Sequence, residues 1–143
     1  MNIEDSREWE LMMKVSNNIS NLVKNSAPAL APTALQDLIV GLDMTGVLLG
    51  RASAEDVKSK DKLDRAKAIS YFEFAPEYLD GKGIKHSDAA KTKAALLDPD
   101  VQSAQNQKTK TDAILLLIKN KLQVLRIAHD SLKKIAYSQD GII

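Results

Sequence analysis

Between residues 98 and 137 the apolar positions recur alternately three and four apart. Positions 101, 104, 108, 111, 115, 118, 122, 125, 129, 132 and 136 read Val, Ala, Lys, Thr, Leu, Ile, Leu, Leu, His, Leu and Ala. That spacing is a heptad seam, apolar in its C-terminal two thirds and polar at Lys108 and Thr111. Asp98-Pro99-Asp100 supplies an N-cap, a proline at the first helical position and an acid in the first turn. No breaker follows until Gly141. At 1.5 Å per residue such a helix is roughly 55–60 Å long. A rod of that length in a chain of 143 residues needs a partner along its side.

The same periodicity organises the rest of the chain. Residues 3–25 predict an N-terminal helix with Trp9, Met12, Met13, Val15, Ile19, Leu22 and Val23 on one broad face. Residues 26–32, SAPALAP, read as a short linker. Thr33 is placed to cap a second long helix over 33–75, bent near 50–53, with Leu35, Leu38, Ile39, Leu42, Val47, Leu48 and Leu49 as its apolar side. Gly41, Gly46 and Gly50 each cost about 1 kcal/mol relative to Ala inside a helix, which suits close approach by another helix. They lie in no phosphate-binding pattern. Pro76 is expected to end this helix after Ala75, and residues 80–83, DGKG, to form a turn. Ser87 caps a short helix over 88–96. The expected fold is all-α: one domain over 1–143, an elongated antiparallel hairpin of the helices 33–75 and 98–137, with the N-terminal helix and a short connecting helix beside it.

Composition narrows the class. Hydrophobic residues make up 44% and aromatics only 4%, so the core is aliphatic and suited to helix packing. There is no cysteine, which removes disulfides and thiolate metal sites. The longest apolar run, 113–118, is too short to span a bilayer, and the acidic start MNIEDSREWE is unlike an export signal. No membrane partner is therefore expected, and the location read for the chain is cytoplasmic.

Net charge is +1, but the charges are segregated. Over 105–137 seven bases stand against Asp112 and Asp130, a local +5. Lys58, Lys60, Lys62, Arg65 and Lys67 fall within ten residues and are followed by Tyr71, Phe72 and Phe74. Cations for a backbone and rings for bases are the two components that single-stranded nucleic acid uses. Asp56–Lys60, Asp61–Arg65 and Asp64–Lys67 are also spaced to pair along one helix, which would make the stretch a solvated surface with most of its rings in the core.

Catalytic chemistry is not visible. His86 and His129 lie far apart, and no nucleophile, metal-ligand or glycine-rich motif surrounds them. No cofactor and no metal site are expected, and the chain reads as a non-enzyme. His129 lies on the heptad seam, where a polar residue sets register or oligomer state.

The order of elements from residue 35 to 138 resembles a known family. Arg65-Ala-Lys-Ala-Ile-Ser-Tyr-Phe72, then Leu79-Asp-Gly-Lys-Gly83, Lys91-Thr92, Asp98-Pro-Asp-Val101 and the long terminal helix are similar to the UvsY-type recombination mediators of tailed phages. The resemblance implies a small helical protein that forms rings in the host-cell cytoplasm and binds single-stranded DNA. It would load a strand-exchange recombinase onto DNA coated by single-strand-binding protein, in recombination and repair. It puts Arg65 and Lys67 in the place of the family's DNA-contacting bases. Lys58, Lys60, Lys62, Lys91 and Lys93 extend that set by charge.

The expected oligomer or partner face comprises Trp9, Met12, Leu115, Ile118, Leu122, Leu125, His129 and Leu132. Two other readings use the same residues: a structural helical assembly protein, virion component or scaffold, that needs no DNA, and a small adaptor or inhibitor docking its Trp9-Met12-Met13 face on a host protein.

Overall fold

The computed structural model describes residues 2–24 and 31–140. It is all-helical, with no strand among the described residues. A short 3-10 turn, Ile3–Asp5, precedes α1 (Arg7–Asn17) and α2 (Ile19–Lys24). They are followed by α3 (Ala31–Phe72), α4 (Phe74–Lys82), α5 (Asp88–Ala95) and α6 (Pro99–Asp140). α3 and α6 are 42 residues each, and one long helix pairs with the other. The chain divides into two compact units, one of Met1–Ala52 with Leu115–Ile143 and one of Ser53–Ile114.

Local chemistry moved several expected boundaries. The N-terminal helix is not continuous over 3–25. Ser6 adopts an extended conformation, its hydroxyl accepts from the Trp9 amide at 3.2 Å and donates to the Ile3 carbonyl at 2.6 Å, and α1 starts only after it. Asn17 and Asn18, whose amides compete with the helical ladder, separate α1 from α2. The linker expected over 26–32 falls largely outside the described residues. Thr33 is not the cap, because α3 already runs from Ala31 with Pro32 in its first turn, where a missing N–H costs nothing.

α3 stops at Phe72 rather than Ala75, and Pro76 lies inside α4. A proline collides with the carbonyl four residues back. Breaking the helix at Glu73 puts Pro76 in a first turn, where that constraint vanishes. Residues 80–82 stay helical, and the turn is confined to Gly83, whose φ of 65° is left-handed. Its amide bonds the Asp80 carbonyl at 3.2 Å and the Ile84 amide bonds Leu79 at 3.0 Å, a Schellman closure. α3 runs through Gly46 and Gly50 as unbroken helix. The two other caps stand as expected: Ser87 accepts from the Ala90 amide at 3.1 Å, and Asp98 accepts from the Asp100 amide at 2.9 Å.

In the first unit Ala34 and Leu38 of α3 join Leu125, Ala128 and Leu132 of α6 in a core against which Val15, Ile19, Leu22 and Val23 pack. Gly41 is the close approach: a Cβ there would lie 2.8 Å from Val15 Cγ1. Nothing lies within 4 Å of a Cβ at Gly46 or Gly50, so among the described residues the neighbour expected for all three glycines is found only at Gly41.

In the second unit Leu63 packs with Val101 and Ala104, and Ala75, Leu79 and Ala94 form a second cluster. The inward residues of α3 here are Ser59, Leu63, Ala66 and Ser70. Ser70, 1% exposed, donates to the Ala95 carbonyl at 3.4 Å. The small side chains let neighbouring elements close over α3, and they turn the rings at 71 and 72 off the buried face.

Candidate nucleic-acid interface and apolar faces

The basic run of α3 divides into two lines, because residues two apart on a helix do not share a face. Lys58, Lys62, Arg65, Ile69 and Phe72 are spaced four, three, four and three apart and form one line. Lys60, Asp64, Lys67 and Tyr71 form the other, across the buried Ser59–Leu63–Ala66–Ser70 side. Along the first line three cations lead into Ile69, 57% exposed, and Phe72, 76% exposed. The expectation that most of the rings lie in the core is corrected: Tyr71, Phe74 and Tyr78 are only half-buried and Phe72 is open. Tyr71 and Phe72 meet edge to face with centroids 5.1 Å apart, and Phe74 stacks on Tyr78 at 5.8 Å.

Lys91 of α5 lies 5.2 Å above the Tyr71 ring. The Tyr71 hydroxyl donates to Asp88, a bond to a carboxylate that pushes the phenol above its ordinary pKa. Lys93 is apart from this group, on a cleft of about 570 Å³ shared with Tyr78, Ile84 and Leu97.

The first line opens on a cleft of about 480 Å³ lined by Lys58, Lys62, Arg65, Ala66 and Ile69 together with Asp61, Asp98 and Asp100. Three bases face three acids there, so the field at its mouth is weak. Among the described residues no ion pair within 4 Å occupies Asp61, Asp64, Arg65 or Lys67, so the expected pairing along the helix does not form at these positions. Asp56 does not take Lys60. Its carboxylate accepts from Lys108 at 2.9 Å and from Thr111 at 3.0 Å. The polar seam positions therefore close on α3 within the second unit.

The residues expected to form an oligomer face are mostly interior. Met12, Ile118, Leu125 and Leu132 are fully buried and Leu122 nearly so. Trp9, Leu115 and His129 are half-buried, with His129 Nδ1 3.5 Å from Asp130. The seam is consumed inside the first unit because the core needs its aliphatic side chains. What α6 leaves outward is a different set, Leu116, Leu117, Val124 and Ile127, and α3 leaves Ile39, Val40 and Val47. Periodicity carries this signal, since 113, 117, 120, 124, 127 and 131 repeat the heptad spacing on the opposite side of α6.

Among the described residues no three His, Cys, Asp or Glu side chains gather as metal ligands. His86 turns to Asp80, with Nε2 2.7 Å from its carboxylate. By length and composition alone α3 is apolar enough to cross a membrane, although the run-length reading of the sequence found no such segment. The chain matches no protein-family model, no curated protein and no solved structure.

Proposed function

We propose that this is a non-enzymatic, self-associating helical protein that binds single-stranded nucleic acid through its second unit. The observation that carries the reading is the line Lys58–Lys62–Arg65 running into Ile69 and the exposed Phe72. It extends over about 21 Å of helix. Cations at one end engage phosphates while an exposed ring at the other stacks on a base, an interaction of about 1–3 kcal/mol per base. Lys67 and Lys91, beside Tyr71, supply charge across the helix. One copy has a net charge of only +1 and a cleft in which acids balance bases, so useful affinity comes from several copies presenting the same line. In this reading α3 and α6 are the arms of an antiparallel hairpin. Pairings of 56 with 108 and of 63 with 101 support that arrangement. Loading a recombinase onto coated DNA is the role the UvsY-type resemblance adds.

A salt titration of binding to a labelled single-stranded oligonucleotide tests the proposal. Binding at low salt that weakens steeply with salt is expected. Phe72→Ala should reduce affinity about five- to 150-fold while leaving thermal stability unchanged, since the side chain is 76% exposed. Absence of binding at low salt, or no change on combining Phe72→Ala with Arg65→Ala, overturns it.

The second reading, an assembly protein that needs no nucleic acid, is favoured by the carboxylates of Asp61, Asp98 and Asp100 in the same cleft. It predicts an oligomer indifferent to the oligonucleotide.

A further inference from the structure

The first unit carries two outward apolar faces of opposite charge. On α3, Ile39, Val40 and Val47 are 45–49% exposed and share one side with the exposed Asp43. Gly46 and Gly50 lie on that side too, and a Cβ at either meets nothing within 4 Å. Each glycine costs about 1 kcal/mol of helix propensity relative to Ala. Among the described residues nothing uses the space they clear. On α6, Leu116, Leu117, Val124 and Ile127 are 37–60% exposed and are bordered by the exposed cations Lys119, Arg126 and Lys133. Two charges of the other sign stand at the margins, each engaged within the chain: Asp130 on α6, 3.5 Å from His129 Nδ1, and Arg51 on α3, 3.6 Å from Glu8. Helices that are apolar on both sides are ordinarily covered on both.

We infer that the α6 face of one copy docks on the α3 face of a second copy of this chain. Charge selects this pairing over the alternatives. Two α3 faces brought together oppose Asp43 to Asp43, and two α6 faces oppose Arg126 and Lys119 to their own kind, and like charges across an interface are costly. The α3 face against the α6 face sets Asp43 among cations and seats Val124 and Ile127 over the glycines. The faces also match in length, with 36–50 covering about 21 Å and 113–131 about 27 Å. A lipid surface is a poorer occupant, because Asp37 and Asp43 lie within the apolar stretch and each costs about 2.5–3.5 kcal/mol at a bilayer centre. The contact joins two different surfaces, so it propagates from copy to copy and closes into a ring or continues as a filament.

This inference deepens the self-association half of the proposed function and uses none of the residues assigned to nucleic acid. Native mass spectrometry of the full chain, with helicity and melting temperature as folding controls, tests it. Wild type is expected as multiples of 15.7 kDa and Ile127→Glu as folded monomer. Asp43→Arg and Arg126→Glu should each weaken assembly, and the double variant should restore it. A monomeric wild type overturns the inference, as does an oligomer untouched by Ile127→Glu, or a double variant no better than either single one. So does a wild-type monomer that co-sediments with phosphatidylcholine vesicles. Oligonucleotide binding by a folded Ile127→Glu monomer separates the two ideas. A folded Ile127→Glu monomer that still binds, but more weakly than the assembled wild type, supports both, and a wild type whose assembly is lost in Ile127→Glu yet which binds no oligonucleotide removes only the nucleic-acid reading.

Discussion

Lys108 of α6 reaches 2.9 Å from the carboxylate of Asp56 on α3, across 52 residues of sequence. The same ammonium contacts Asp112 one turn on, and the Thr111 hydroxyl donates to Asp56 at 3.0 Å. Both charged side chains are about four-fifths covered, 17% and 20% exposed. A heptad seam that is otherwise apolar except at His129 therefore carries one satisfied polar layer. Such a layer admits one register, because a slip by a turn leaves a largely covered charge unpaired.

This layer makes stability depend on pH at both ends. The Lys108 ammonium first, with the Thr111 hydroxyl, holds the Asp56 carboxyl below its ordinary value of 3.8. Its contribution is present above the unfolded value and is lost as pH falls through the depressed folded one. Asp112 first, then Asp56, raise Lys108 above 10.5, so its contribution is complete below the unfolded value and disappears as pH climbs through the raised one. Thermal unfolding followed by circular dichroism between about pH 5 and pH 2 should show a falling melting temperature in wild type and a flatter profile in Asp56→Asn. Lys108→Met should melt lower than the Asp56→Asn/Lys108→Met pair, because it strands the carboxylate.

Two glycines in one short segment have opposite expectations. Gly81 lies in α4 with open space around it, so Gly81→Ala should stabilise by about 1 kcal/mol through helix propensity. Gly83 is left-handed at φ 65°, and Gly83→Ala should destabilise by about 1 kcal/mol despite equally open space. Urea melts of the two single variants check the pair, and shifts of the same sign would contradict the α4 closure described above.

Gly41→Ala tests the approach of α1 to α3. The new methyl gains about 1 kcal/mol in propensity but meets Val15 Cγ1 at 2.8 Å and Cβ at 3.1 Å. Valine is stiff at χ1 and cannot swing away freely. A net loss of about 1–3 kcal/mol is expected from overpacking. Adding Val15→Ala should recover part of it, and chemical denaturation of the three variants reports the coupling.

The acids of the cleft should oppose nucleic acid. Asp61→Asn removes a carboxylate beside Lys58, Lys62 and Arg65. It is expected to tighten binding to a single-stranded oligonucleotide several-fold at low salt, with little change in melting temperature. Asp98→Ala should do the same to affinity but also cost about 1 kcal/mol of stability, because Asp98 caps α6. Fluorescence anisotropy at two salt concentrations, paired with thermal melts, distinguishes the variants.

Much of the helical content was legible in the chain. The alternation of 101 through 136 set out the buried side of α6, and every one of those positions is buried or half-buried. Ser87 and Asp98 announced two helix starts, because a cap is a contact between residues two or three apart. Ser6 carries the same signal and caps α1, although the helix expected over 3–25 ran through it. The placement of Pro76 within α4 was hidden because a proline forbids one carbonyl position without stating where the chain will relieve it.

The sequence by itself determined that the chain is helical, where α5 and α6 start and which stripe of α6 turns inward, since these follow from spacing, capping and propensity within a few residues. Only the tertiary structure decided that the stripe through Ile118, Leu125 and Leu132 is covered from within the chain, and that Asp56 belongs to Lys108 rather than Lys60. It also decided that Phe72 is exposed at the end of a line of cations. The reason is that a helix bearing apolar or charged residues on more than one side offers several contacts of similar worth. Which of them forms depends on the neighbour, and here small residues such as Ser59, Ala66 and Ser70 let that neighbour close on one side and leave the larger side chains outside.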